Sequence, residues 1–391
     1  MNKYIILILL CIMIIIIIKK DDNNTKYKKL SKMDMYHYKK REKAYICTAF
    51  YFDNLEYENI INRIKIVIKN RVKDNLYLLI YKKKLYNNKV KKLKMSDEDI
   101  LKNLILHNYI AKNHKDMINK TYRSKLFWGI SIDIKNNLIL MCWNHAICDG
   151  YRSMLPVQKI LLGYNHKIKN TKLIKTNFLL NSVSISKLFL NINFILKLNN
   201  KDLYLEKNMK NVTFNFRLNF DDINNKVKPG SNFNSTLQKI IINKIIPDSY
   251  KNKEFLYGVI FATEQYKSFN GLGIIPYFLK KKQKNKSIII NKKIKNNFYI
   301  GINSINKLFS EIIDINPNFD IIFSGLKFTN DNNCFNNSKA INFYTYMPYH
   351  KAPIYIFTAK FNNDIFVSVG VKNKNIYNHI KSNYNWSYIK E

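Results

Sequence analysis

The chain has 391 residues, 47% of them apolar, with 27 Tyr and 24 Phe; that is enough to bury a large core, and it excludes an intrinsically disordered chain. Its formal net charge of +39 invites a nucleic-acid reading, but only Arg41, Arg63, Arg71, Arg123, Arg152 and Arg217 are arginine; the rest is lysine mixed with asparagine and isoleucine. Phosphate and base-edge recognition favours the arginine fork, so a specific nucleic-acid partner is set aside. What the charge leaves is a bias toward anionic surfaces and polyanionic substrates. Cys11, Cys47, Cys142, Cys148 and Cys334 form no C-x-x-C pair, which removes zinc spacing and points to free thiols in a reducing compartment.

Residues 1–20 open the chain. Tyr4 to Ile18 is uncharged and apolar, short of the roughly 17–25 residues a span needs. The following "KKDDNN" lacks the small residues of a cleavage site, so an uncleaved membrane anchor is expected over a cleaved signal. Lys19, Lys20, Lys26, Lys28 and Lys29 lie after the run and Lys3 before it, which puts the body on the cytosolic side. A buried strand or helix is the bland alternative. Residues 21–42 read as a polar tether.

From Ala44 to Phe52 the content is that of a strand. Asp53 and Glu56 have capping-box spacing before Ile60, Ile61, Ile64, Val67 and Ile68, which share one helical face. "LYLLIYKK" reads as a strand, and Ser96 with Asp99 opens another helix. "LFWGISIDI" and "NLILMCWNH" are two strands joined by the tight turn "KNN". A helix from about Ser153 to Leu162 follows, with Pro156 in its first turn and Gly163 at its stop. Residues 166–210 form a Lys/Asn-rich linker between an N-terminal lobe, 43–165, and a C-terminal lobe, 211–391. The second lobe starts with strand "NVTFNFRLNF" and a helix opened by Ser235 and Gln238. "FLYGVIFATEQY" is a strand, 303–314 a helix and "FDIIFSGLKF" a strand. "IYIFTAKF" and "IFVSVGV" make a hairpin around Asn362, Asn363 and Asp364. Strands and helices intermix in both halves, so the class is α/β or α+β with mixed sheets.

The stretch with chemistry is "MCWNHAICDGYRS", 141–153. His145 falls where the strand runs out, so its imidazole is held by a rigid element and titrates where it can take a proton at neutral pH. Asp149 lies in the turn beyond, suited to bracing the loop against an arginine; Arg123, Arg152, Arg63 and Arg71 are the candidates. Gly150 allows a close backbone approach. Taken from spacing alone, His145 also fits an ordinary half-buried residue, a metal chelate with Asp149, or a base beside a nucleophilic Cys148.

"HAICDG" resembles the H-x-x-x-D-G signature of the CoA-dependent acyltransferases of the chloramphenicol acetyltransferase-like superfamily. That group includes condensation domains, alcohol acyltransferases and the wax ester synthase/diacylglycerol acyltransferase branch. The blocks "CTAFYFDNLEYENIINRIKIVI", "KLFWGISIDIKNNLILMCWNHAICDGYRSMLPVQKIL", "NSTLQKIIINKI", "EFLYGVIFATEQYKSFNGLGIIPYF", "IIFSGLKF" and "IYIFTAKFNNDIFVSVGV" are similar to its elements in order. The resemblance implies a two-lobed fold with an inter-lobe tunnel, no bound cofactor, acyl-CoA or an acyl-carrier thioester as cosubstrate, and a hydroxyl acceptor, with amine acceptors open. The N-terminal anchor favours a lipid or apolar alcohol as that acceptor. It implies His145 as general base, Asp149 as structural partner, Gly150 as room for substrate and Ser324 as an oxyanion donor by partial match to the "SNxPG" segment. Many members have two histidines in a row; here Asn144 takes the first place, and the "DFGWG" segment of plant members is absent. The alternative is a membrane-tethered basic binding protein that keeps the fold without the chemistry. Oligomeric state is left open.

Overall fold

The computed structural model describes residues 27–30, 35, 38–39, 44–70, 81–86, 89–92, 95–105, 110–147, 150–163, 205–229, 233–250, 252–262, 272–280, 319–327, 333–334, 338–347, 350, 352–361, 363–383 and 387–389. The first half runs β1 (Tyr27–Lys29), β2 (Tyr45–Phe52), α1 (Tyr57–Lys69), β3 (Tyr81–Tyr86), β4 (Lys89–Lys92), α2 (Asp97–Leu104), α3 (His114–Arg123), β5 (Trp128–Asp133), β6 (Leu138–Asn144) and α4 (Gly150–Leu162). The second runs β7 (Val212–Asn219), α5 (Phe220–Asn224), α6 (Phe233–Ile245), β8 (Glu254–Ala262), β9 (Leu272–Lys280), β10 (Ile321–Lys327), β11 (Asn333–Cys334), β12 (Ser338–Tyr346), β13 (Ile354–Phe361), β14 (Asp364–Val371), α7 (Lys374–Asn383) and β15 (Ser387–Ile389). The expected mixed α/β class is what forms.

Two sheets dominate. One has five strands in the order β11-β12-β2-β6-β5, all antiparallel; the other has seven, β15-β7-β14-β13-β10-β8-β9, with β8, β10 and β13 parallel. β1, β4 and β3 make a small separate sheet. The run "YICTAFYF" of β2 is almost wholly buried because both of its faces are covered. Ile46, Phe50 and Phe52 point into the core shared with α1, α2 and α4, and Tyr45, Cys47 and Ala49 into a smaller one under α3. At Gly129 a Cβ would lie 2.7 Å from Thr121 Oγ1, so only glycine lets α3 come this close to β5. In the second half, Leu237, Ile241, Ile242 and Ile245 of α6 and Ile376 and Ile380 of α7 cover one face of the seven-stranded sheet.

β12 joins the halves. It comes from the C-terminal part of the chain yet pairs with β2, from Ala340–Phe52 to Tyr346–Cys47. Phe343 on it meets Phe50 at 5.0 Å between ring centroids and Phe357 and Phe366 of the other sheet at 6.3 Å each. Ser368 Oγ accepts the Thr345 N–H at 3.2 Å, and the Thr345 and Thr48 hydroxyls are 3.3 Å apart. The two sheets therefore share a core, which local pattern could not reveal.

Several helix starts differ from the spacing. Ser96 caps α2 as expected, accepting from Asp99 N–H at 3.0 Å and donating to Asp99 Oδ2 at 2.9 Å. The Asp53–Glu56 box does not form. Glu56 is the N-cap, but its carboxylate accepts from the Asn59 side chain and caps no backbone N–H, and Asp53 Oδ1 accepts the N–H groups of Asn54 and Lys339, the latter at 2.7 Å, pinning the start of β12. Ser235 is the third residue of α6 and buried, not a cap. α4 begins at Gly150, three residues earlier than the spacing suggested, so Pro156 sits in the second turn rather than the first. Gly163, at φ +100°, ends that helix as expected.

Arg63 of α1 donates from Nη1 to the Leu161 carbonyl at 2.9 Å, satisfying one of the orphan acceptors at the C-terminus of α4. Arg63→Ala is expected to cost about 1.5–3 kcal/mol of stability, the worth of a charged hydrogen bond, read as a lower urea midpoint. An unchanged midpoint would mean the bond contributes nothing.

The anchor of residues 1–20, most of the tether, the bulk of the 166–210 linker and the 303–314 helix lie outside the described residues. Among the described residues no helix is long and apolar enough to cross a membrane.

Candidate functional site

His145 stands at the end of β6, and its backbone extends the ladder by one rung, donating N–H to the Ala44 carbonyl at 2.8 Å. The alternation of β6 puts Trp143 and His145 on the same face, the one covered by α1, α2 and α4. The ring is half-buried, with Nδ1 shut off from solvent.

Asn144, where a doubled-histidine motif would have its first imidazole, organises the turn. It is 4% exposed. Its Oδ1 accepts the Ala146 N–H at 2.8 Å, its own N–H donates to Phe127 at 3.0 Å, and its carbonyl takes Ile147 N–H at 3.3 Å. Tyr45, its neighbour across the ladder, hydrogen-bonds to the Asn144 side chain; burial nevertheless pushes the phenol well above its usual range. Asn144 and Tyr45 are the residues sequence reasoning missed, although the short acceptor at the strand end, inside "CWNH", was a turn signal.

Of the other expected residues, Gly150 is the first residue of α4, so its backbone starts the helix that runs away from the His145 turn. Asp149 and Cys148 lie outside the described residues. So does Arg71; Arg123 ends α3 on an exposed face. Ser324 is on β10, opposite Phe357 of β13, and its hydroxyl is bonded to Tyr355. Burial pushes that tyrosine up to about 12, and the Ser324 bond opposes the shift in part. Ser324 therefore stands on the seven-stranded sheet with a neighbour for its hydroxyl, on a different sheet from His145.

A second histidine shares this end of the fold. His350 follows β12, is 4% exposed, and is held through Nδ1 by the Ala352 carbonyl at 2.6 Å and through Nε2 by the Asn211 side-chain amide at 2.8 Å. A cavity of about 10 Å³, room for one water, adjoins it, lined among others by Thr213, Thr345, Tyr355 and Ser368. Among the described residues no group of three His, Cys, Asp or Glu is arranged to hold a metal.

Burial lowers His114 from 6.5 to about 4; burial, with Lys372 close by, lowers His350 to about 3. Unfolded rings take up protons near pH 6.5 and these folded ones do not, so the folded state binds fewer protons below that pH. Stability is full above about pH 6.5 and falls as pH drops toward 4 and then 3. The urea midpoint should fall between pH 7 and 5, and fall less in His114→Gln; a flat profile in the wild type would contradict the buried neutral rings.

No family model and no curated relative matches the sequence. Solved structures do match in shape. A variant of the starter condensation domain of rhizomide synthetase, solved with C8-CoA and Leu-SNAC, superposes with a TM-score of 0.60 at 6% identity, over 91% of this chain and 92% of that one. The epimerization domain from the third module of tyrocidine synthetase B gives 0.53 at 10% identity, over 93% and 96%. The wax ester synthase/diacylglycerol acyltransferase of Marinobacter aquaeolei VT8 gives 0.50 at 9%, over 91% and 97%.

The fold is that of a condensation domain. Coverage above nine-tenths in both directions means the whole architecture, not one sheet, is shared. Within the condensation fold of this chain, the strand–turn–helix unit β6–α4 carries H-x-x-x-D-G, with the histidine on the strand side and the glycine at the helix start. At 6–10% identity the likeness is one of fold, and the chemistry must be argued from the residues.

Proposed function

We propose that this protein is an acyltransferase that moves an acyl group from a CoA or carrier thioester to the hydroxyl of a lipid or other apolar alcohol. The observation that carries the reading is His145: an imidazole tied to a rigid strand end, half-open, inside an H-x-x-x-D-G unit of a condensation-type fold. With Nδ1 turned inward, Nε2 is the ring nitrogen that meets the acceptor. The acceptor hydroxyl gives its proton to Nε2 as its oxygen bonds to the thioester carbon, and the carbonyl pair moves onto oxygen. Collapse of the tetrahedral adduct restores the carbonyl, breaks the C–S bond, and the departing thiolate takes the proton back from the imidazolium. No covalent enzyme intermediate arises. Asp149 braces the turn, and the absence of a side chain at Gly150 leaves room beside the base.

The wax ester synthase neighbour and the apolar N-terminal run support a lipid-phase acceptor, with residues 1–20 holding the body at the cytosolic face of a bilayer. The test is release of CoA thiol from acyl-CoA esters by the purified full chain in the presence of alcohols or lipid extracts. No turnover over a broad panel, together with tight polyanion binding, would favour a binding protein that retains the fold alone.

A further inference from the structure

We propose that the indole N–H of Trp143 is the hydrogen-bond donor to the acyl carbonyl oxygen, the group that steadies the oxyanion as His145 takes the acceptor's proton. The proposal rests on the acyltransferase reading and adds to it the donor that Ser324 was expected to supply.

Trp143 is 1% exposed, and its Nε1 is buried with no hydrogen-bond partner. An indole N–H only donates, and leaving such a group unpaired costs about 1–3 kcal/mol, which a phenylalanine in the same place would avoid. The group is two residues from the base on the same strand. Because the His145 N–H still bonds to Ala44, the alternation persists through residue 145, and the two side chains leave the sheet on one face with Cα atoms about 6.8 Å apart. A carbonyl that reacts beside His145 would take its hydrogen bond from the indole two residues back on the same strand. Trp128, directly opposite Trp143 on β5, also has a buried, unpartnered Nε1, but it is a strand further from His145. In the step, the Trp143 proton stays on nitrogen: the N–H···O bond shortens as the carbonyl pair moves to oxygen and relaxes as the C–S bond breaks. Donors of this kind are worth about 10²–10³ in rate.

The experiment needs no turnover. Two unreactive CoA analogues with an octanoyl-length chain are compared by calorimetry on the full chain. One is a ketone in which methylene replaces the thioester sulfur; the other is an alkyl thioether without a carbonyl. The wild type should bind the ketone about tenfold tighter, Trp143→Phe should bind both alike, and Trp128→Phe should keep the preference. Should Trp143→Phe not fold, the indole ¹⁵N–H resonances of the wild type decide. The chain has three tryptophans, and the Trp143 signal should move downfield with the ketone and not with the thioether. No preference in the wild type, a preference that survives Trp143→Phe, or an unmoved signal overturns the donor assignment and leaves the acyltransferase reading standing. If neither analogue binds the wild type, acyl-CoA is not the donor substrate, and the acyl-CoA form of the acyltransferase reading fails together with the donor assignment.

Discussion

His145→Ala is expected to lower CoA release from acyl-CoA by about 10²–10⁴-fold, the range for loss of a positioned general base. Stability should change by less than about 1 kcal/mol. The residue is held through its backbone N–H to Ala44, which alanine keeps, and the half-buried ring leaves only a partial void. Rate and fold should thus separate: activity lost, urea midpoint retained, and activity partly recovered by imidazole added to the assay. A variant with full activity would end the assignment of His145 as base. One that unfolds would instead make the residue structural, the bland reading its spacing also permits.

Asp320→Ala is expected to destabilise the protein by about 3–5 kcal/mol. Asp320 is 0% exposed at the entrance to β10. Its Oδ1 accepts the Leu205 N–H at 2.9 Å and Oδ2 the Leu256 N–H at 2.8 Å. Its backbone N–H goes to Leu256 O and its carbonyl takes Ile354 N–H, so one residue ties β8, β10, β13 and the segment before β7 together. Alanine removes both side-chain acceptors and strands two N–H groups in the interior. Asp320→Asn, which keeps one carbonyl oxygen and adds a donor, should lose about half as much. A loss below about 1 kcal/mol for alanine would mean that water replaces the carboxylate.

His145 and Asp320 differ in how they could be found. His145 is announced by its neighbours in the chain: an apolar run, a polar end, a glycine five residues on. Asp320 sits in "NFDIIFSG", where nothing local distinguishes it from a turn aspartate; its partners are 115 and 64 residues away. The same division separates Ser96, a cap as its spacing suggested, from Asp53, which has equal spacing and is claimed instead by Lys339, 286 residues on. Trp143 was in plain view within the motif, but an unpaired buried indole nitrogen is a property of its surroundings.

What the chain order alone conveyed was whatever acts within one or two turns or one strand: β2, α1, the β5–β6 hairpin, the β13–β14 hairpin closing at Phe361 and Asp364, the stop at Gly163, and the histidine motif. These follow from side-chain periodicity and turn chemistry, which are local. Folding in three dimensions decided that β12 crosses into the other sheet, that β8, β10 and β13 run parallel, that Arg63 serves α4, and that Asn144 shapes the turn beneath His145. Those choices depend on which distant groups satisfy each other's hydrogen bonds once water is gone, and no periodicity along the chain encodes a partner hundreds of residues away.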